Sequence, residues 1–181
     1  SNAIIFTYGD INLSEVQNKI HQQALSKFTK QEEELTVGAE QRYFAPIKVE
    51  EAYAFDEDDL SKQTYISLAW LLGTSTSAKD LMRARLLEML LLDNSSSPLL
   101  AALETSPLGT GPSPITGLEA SNYEMSFICG LQGSEPDKAS AVEELILTTL
   151  EKVAETGFSQ AEIEAQLHQL ELSQREISGG G

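Results

Sequence analysis

The chain has 181 residues, 41% of them apolar, which suits one domain with a core of its own rather than two independent ones. Its 28 Asp and Glu against 12 Lys and Arg leave a net charge of −16, which repels phosphate backbones and anionic lipid and argues against nucleic-acid and membrane-surface roles. The single Cys129 cannot form an internal disulfide, and the longest apolar run, Met89 to Leu92, falls far short of the ~18 residues a membrane helix needs. A soluble protein in a cytoplasmic setting is expected.

Ser1-Asn2-Ala3 has the composition of an expression-tag remnant, although it can equally be native, and runs into the apolar segment Ile4-Ile5-Phe6. Residues 3–8 read as a short strand, closed by Gly9-Asp10. Ser14 and Gln17 have capping-box spacing and predict a helix over residues 15–28. The stretch 29–46, with Gln31-Glu32-Glu33-Glu34, Gly38 and Pro46, reads as a solvated surface loop.

Residues 47–55 then alternate with period two, placing Ile47, Val49, Tyr53 and Phe55 on one face with Glu51 as the exception. A second alternating segment holds Ile66, Leu68, Trp70 and Leu72 on one face and Tyr65, Ser67, Ala69 and Leu71 on the other. The short acidic connection Asp56-Glu57-Asp58-Asp59 suggests that these two strands form an antiparallel pair. That connection is acidic enough for calcium, but it lacks ligands at alternating positions, a turn Gly and a distal Glu, so a solvated turn is preferred.

Ser77 caps a predicted helix whose body, Leu81 to Leu92, is apolar around most of its circumference and must be covered on more than one side. Pro98 suits a first helical position, so residues 99–104 form a short second helix. The following residues, 106–118, carry so many Gly and Pro that no regular element is expected in them. Tyr123, Met125, Phe127, Cys129 and Leu131 then give the clearest strand alternation in the chain. Val142, Leu145, Ile146, Thr149, Leu150 and Val153 follow at helical spacing within residues 136–156, and Gly157 stops that helix. A last helix opens on the capping box Ser159 to Glu162, with Phe158 and Ile163 placed as a hydrophobic staple and a stripe running through Leu167, Leu170 and Ile177. Four strands and about five helices in this order predict an α+β two-layer sandwich, with a mixed or mainly antiparallel sheet and helices packed on one face.

No catalytic, cofactor-binding or metal-ligating set can be assembled from these residues. Zinc needs three or four converging ligands, whereas only His21, His168 and Cys129 stand beside the carboxylates; Glu164 lies four residues from His168, which makes at most a pair, and neither His resembles His-x-x-Glu-His or His-Glu-x-x-His. The Gly-x-Ser-x-Gly elbow is absent, since Gly111-Pro112-Ser113-Pro114 does not match it. A phosphate cradle needs donors leading into a helix, yet the Gly/Pro loop leads into a strand and its prolines remove donors. In a chain this acidic, any carboxylate pair would be a selection from many.

Five segments stand out together: Ser1-Asn2-Ala3 followed by Phe6-Thr7-Tyr8-Gly9-Asp10, Leu90-Leu91-Leu92 leading to Ser96-Ser97-Pro98-Leu99, the Gly109 to Gly117 loop with Ser113-Pro114, Gly130-Leu131-Gln132-Gly133, and the run from Leu167 to Glu176. In their order and spacing they resemble the pitrilysin/insulinase zinc metallopeptidases, in particular their presequence-protease branch. The resemblance implies four related α+β lobes closing around a peptide-degrading chamber, with residues 1–181 as a single lobe, the second of the first half, and thus a fragment of a larger peptidase. It implies zinc in the parent, held by a His-x-x-Glu-His helix in another lobe, and none in this chain, where that motif does not occur. Implied partners are the neighbouring lobes and the parent's peptide substrates, with no nucleic acid and no membrane. The alternative is a catalytically silent scaffold subunit of the same fold. The start within an apolar segment and the end on Gly179-Gly180-Gly181 agree with a fragment, and the isolated chain is expected to self-associate through its apolar helix.

Overall fold

The computed structural model describes residues 4–29, 36–56 and 58–175. Expectations for residues 1–3, for the Gln31 to Glu34 run, for Glu57, and for Ile177 and the terminal glycines lie outside these residues.

The chain divides into two units, Ser1–Gly38 and Ala39–Gly181. The first contains helix α1 (Leu13–Gln23) and a 3-10 turn, Leu25–Lys27. Asn12, not Ser14, caps α1: its Oδ1 accepts from the amides of Ser14 at 3.1 Å and Glu15 at 3.3 Å, so the helix starts earlier than the Ser14 capping box implied. It also ends earlier, at Gln23 rather than Phe28. Of the strand expected over residues 3–8, the described residues 4–8 form none. Phe6 and Tyr8 stack on each other but are 82% and 86% exposed, so this segment lacks the apolar cover that makes a half-buried strand worthwhile.

The second unit holds β1 (Thr64–Thr74), α2 (Ala78–Leu92), α3 (Pro98–Thr105), β2 (Gly111–Pro112), β3 (Gly117–Glu119), β4 (Glu124–Ser134), α4 (Ala139–Thr156) and α5 (Gln160–Arg175). The result is an antiparallel four-stranded sheet with an α+β composition, as expected, but two of its strands are not the expected ones. All pairing runs through β4, which has β1 on one edge and β2 and β3 on the other. The predicted hairpin between residues 47–55 and β1 carries no ladder. Instead Ile66, Leu68 and Trp70 of β1 lie opposite Leu131, Cys129 and Phe127 of β4. That register brings the two most apolar strand faces together, a gain the segment with exposed Ile47 and Val49 does not offer.

The Gly/Pro loop, expected to hold no regular element, supplies both short strands. In β2 the amides on either side of the Gly111-Pro112 pair make the contacts: Thr110 donates to the Gln132 carbonyl and Ser113 to the Gly130 carbonyl, each at 2.8 Å. Pro112 therefore sits where no donor is required, which is how a proline is accommodated at a sheet edge.

The helices form as their signals indicate. The Ser77 hydroxyl accepts from the Asp80 amide at 3.3 Å, and Pro98 is the first residue of α3. Ahead of α5 the capping box closes both ways, with the Glu162 amide donating to Ser159 Oγ at 3.2 Å and the Ser159 amide to Glu162 Oε2 at 2.7 Å. The core lies between the helices and one sheet face, where Leu99, Leu103, Leu131, Val142 and Ile146 are fully buried, with Phe158 packed against this cluster. Helix α2 meets α3, α5, β1 and β3, which satisfies the requirement for cover on several sides, although Met82 and Leu87 remain exposed.

Candidate functional site

Two surfaces of the second unit have the shape and chemistry of contact sites. The first is a groove of about 760 Å³ between α3, α4 and the start of α5. Pro98, Ala102, Leu108, Leu145, Val153 and Phe158 give it apolar walls, while Glu144, Lys152 and Glu162 bring charge. The groove's hydroxyls are partly committed to the helix itself, since Thr149 donates to the Leu145 carbonyl at 2.7 Å and Thr156 to the Lys152 carbonyl at 2.8 Å. Glu162 stays ionised, because the Ser159 hydrogen bonds hold its carboxyl below the usual range.

The second surface is the sheet face opposite the helices. Along β1 it presents Tyr65, Ser67, Ala69 and Leu71, all exposed. The register places Gly130, Ile128 and Ser126 of β4 opposite the last three of these. Gly130 is required there, as a Cβ would lie 2.0 Å from the Ile66 carbonyl oxygen and 2.7 Å from Ser67 Cα. At the end of this face Arg42 pairs with Glu124, and the Glu40 amide donates to Glu124 Oε2 at 2.6 Å. The Arg42 hydrogen bond, then the Glu40 amide, hold the Glu124 carboxyl below its ordinary range, and Glu124 in turn raises Arg42. Sequence reasoning missed this pair, whose members lie in segments that nothing in the sequence connects.

The residues weighed for chemistry lie on separate elements. His21 lies on α1 in the first unit and His168 on α5 in the second. Cys129 is fully buried between β1 and the core, where desolvation pushes its thiol up to about 12. Asp59 accepts from the Ser61 amide at 2.9 Å, which, with the Ser61 side chain, lowers its pKa and makes it a turn residue. Ser113 is buried, its carbonyl accepting from Thr116, and it serves the turn between β2 and β3. Among the described residues no three His, Cys, Asp or Glu side chains come together to hold a metal ion. Among the same residues no helix is long and apolar enough to cross a membrane.

Comparisons with known proteins give this α+β body a family. The family model described as the Peptidase M16 inactive domain matches residues 1–170. This chain belongs to that family. The M16 inactive domain described here is also similar to proteins named mitochondrial presequence protease. It is 34% identical to the one from Xenopus laevis over 180 residues, covering 98% of this chain and 18% of that protein. The Mus musculus protein is 36% identical, with 98% of this chain and 17% of that protein covered. The relative from Yarrowia lipolytica is 34% identical over 187 residues, with coverages of 97% and 18%. This M16 inactive domain thus spans less than a fifth of the length of these relatives.

Proposed function

We propose that this chain is a non-catalytic lobe of a zinc-dependent metalloendopeptidase, contributing wall and inter-lobe packing to an enclosed chamber in which unstructured peptides are degraded. The observation that carries this reading is the nearly end-to-end match to a family of inactive M16 domains and, at the same time, to presequence proteases of which it spans only 17–18%. On this reading zinc and its ligands belong to another part of the parent, in keeping with the described residues of this chain, which bring no three His, Cys, Asp or Glu together. The neighbouring lobes are the partners of this one.

The layering supports the division of labour. Helices cover one face of the sheet and leave the other open, with the small residues Ser67, Ala69 and Gly130 between Tyr65 and Leu71. A chamber wall needs such a face, smooth enough for an extended peptide to pass over. The net charge of −16 favours basic peptides over acidic ones.

The test is to measure peptidase activity and bound zinc on this chain alone and on the full parent. The chain alone should be inactive and free of stoichiometric zinc, while the parent should cleave unstructured peptides and lose activity on chelation. Cleavage or tight zinc in the isolated chain would refute the proposal. A parent that folds but neither binds zinc nor cleaves would replace it with the scaffold-subunit reading.

A further inference from the structure

Helix α4 carries two apolar stripes, and the core uses one of them. Val142 and Ile146 are fully buried together with Leu99 and Leu103 of α3. The second stripe, Ala141, Leu145, Thr149 and Val153, advances every four residues along the neighbouring side of the helix and stays half-buried as the floor of the groove of about 760 Å³. The hydroxyls of Thr149 and Thr156 are taken by carbonyls of α4 itself, so this floor asks for apolar contact more than for hydrogen bonds. From Ala141 to Thr156 the groove follows nearly the whole helix, about 22 Å at ~1.5 Å per residue. A trough of that length between helices matches the apolar face of another helix of about four turns, with anchors at i, i+3 or i+4, and i+7. Glu144 and Lys152 of α4 and Glu162 of α5 line it in that order, an acid, a base and an acid. Among the described residues none of the three belongs to an ion pair.

We propose that an amphipathic helix from the part of the parent protein outside residues 1–181 docks in this groove, laying apolar side chains on the second α4 stripe and basic residues against Glu144 and Glu162. Two observations select this occupant. The chain spans only 17–18% of the presequence proteases it resembles, so in a parent of that length more than four-fifths of the polypeptide lies outside it and can supply the helix. Charge then sets the chemistry: a second copy would bring another −16 towards a rim that already carries two acids to one base, whereas a helix with basic flanks is drawn to it. Lys152, between the two carboxylates along the groove, calls for an acidic residue about two turns from the base that meets Glu144, which fixes the helix lengthwise. The inference rests on the reading that this chain is one lobe of a longer protein, and it does not require that protein to be a peptidase.

Thr148 is exposed on the groove side of α4 and serves as the reporter. A helix tethered in the same polypeptide is held at an effective concentration on the order of millimolar, so Thr148→Cys in the full parent should react with a maleimide at least about tenfold more slowly than in the 1–181 chain, the modified peptide being identified by mass spectrometry. Buried Cys129 does not compete. Adding Glu144→Lys to Thr148→Cys in the parent should recover much of the lost rate. A photoreactive residue at position 148 of the parent should cross-link to a segment outside residues 1–181 that has apolar residues at helical spacing and flanking Lys or Arg. Equal rates in parent and chain, protection that Glu144→Lys leaves unchanged, or cross-links confined to residues 1–181 of another copy would each overturn the proposal. Peptidase activity of the parent is read separately. An inactive parent with position 148 protected removes the proteolytic reading alone, and an active parent with the groove open removes this proposal alone.

Discussion

Replacing Gly130 with Ala tests the closeness of β1 and β4 directly. The new methyl carbon would sit 2.0 Å from the Ile66 carbonyl oxygen and 2.7 Å from Ser67 Cα, where ordinary contact begins near 3.4 Å. Both obstacles are backbone, so no side-chain rotation relieves them and the strands must part by more than an ångström, lengthening ladder hydrogen bonds beside the core. Overpacking of this kind costs about 1–3 kcal/mol or more, and the lower entropy of unfolded Ala returns about 0.4–1. A net loss of about 2 kcal/mol is expected, or roughly 4–8 °C in melting temperature. Gly111→Ala is the matched control, because a Cβ there meets nothing within 4 Å, and it should be neutral within about 0.5 kcal/mol. Urea unfolding followed by circular dichroism measures both. If Gly130→Ala were as stable as Gly111→Ala, the β1–β4 register would be wrong.

Leu99→Ala, at a site with no exposure beside Leu103 and Ile146, should cost about 2–5 kcal/mol in the same assay. Ser159→Ala removes the hydroxyl that accepts from the Glu162 amide and should cost about 1 kcal/mol. Cys129 should resist thiol reagents until the protein unfolds. Its folded pKa is about 12 against an ordinary 9.0, so the folded state keeps a proton the unfolded state has released. Its contribution is therefore lost as pH rises from about 9 towards 12, and Cys129→Ala should flatten stability over that window. Glu124 has the opposite sign, its pKa being lowered by Arg42, so its contribution is present above the ordinary carboxylate range and disappears as pH falls through the folded value. Acid should accordingly speed hydrogen exchange at Glu40, whose amide Glu124 accepts.

The helices of the second unit were legible because each carries its own start signal and stripe: Ser77 before α2, Pro98 at the head of α3, and Ser159 with Glu162 before α5. Strands β1 and β4 were legible from alternation, but their partnership was not, since period two fixes which side chains share a face and says nothing of which strand lies alongside. That is why residues 47–55 were paired with β1 while the ladder went to β4. The short strands β2 and β3 were hidden because Gly111-Pro112 has no strand propensity, and the neighbouring Thr110 and Ser113 amides help to bind it to β4. At the start of α1 the spacing of Ser14 and Gln17 pointed to Ser14 as the cap, whereas Asn12 Oδ1 is the oxygen that accepts from the amides of Ser14 and Glu15. Residue types alone argued against a convergent site, whereas the groove and the Arg42–Glu124 pair depend on contacts between distant segments.

Among the described residues every ladder includes β4, so the sheet cannot close until that strand is made. β3 joins β4 through a short turn, with Gly117 opposite Ile128, and can close early at little entropic cost. β1 must wait, since Thr64 finds its partner only at Ser134. On the ribosome this means that β1, with Trp70 and Leu72 uncovered, emerges long before the strand that shelters it. Folding of this lobe should therefore be slow for its size and governed by the arrival of β4, and an exposed β1 is the segment most in need of chaperone protection during synthesis.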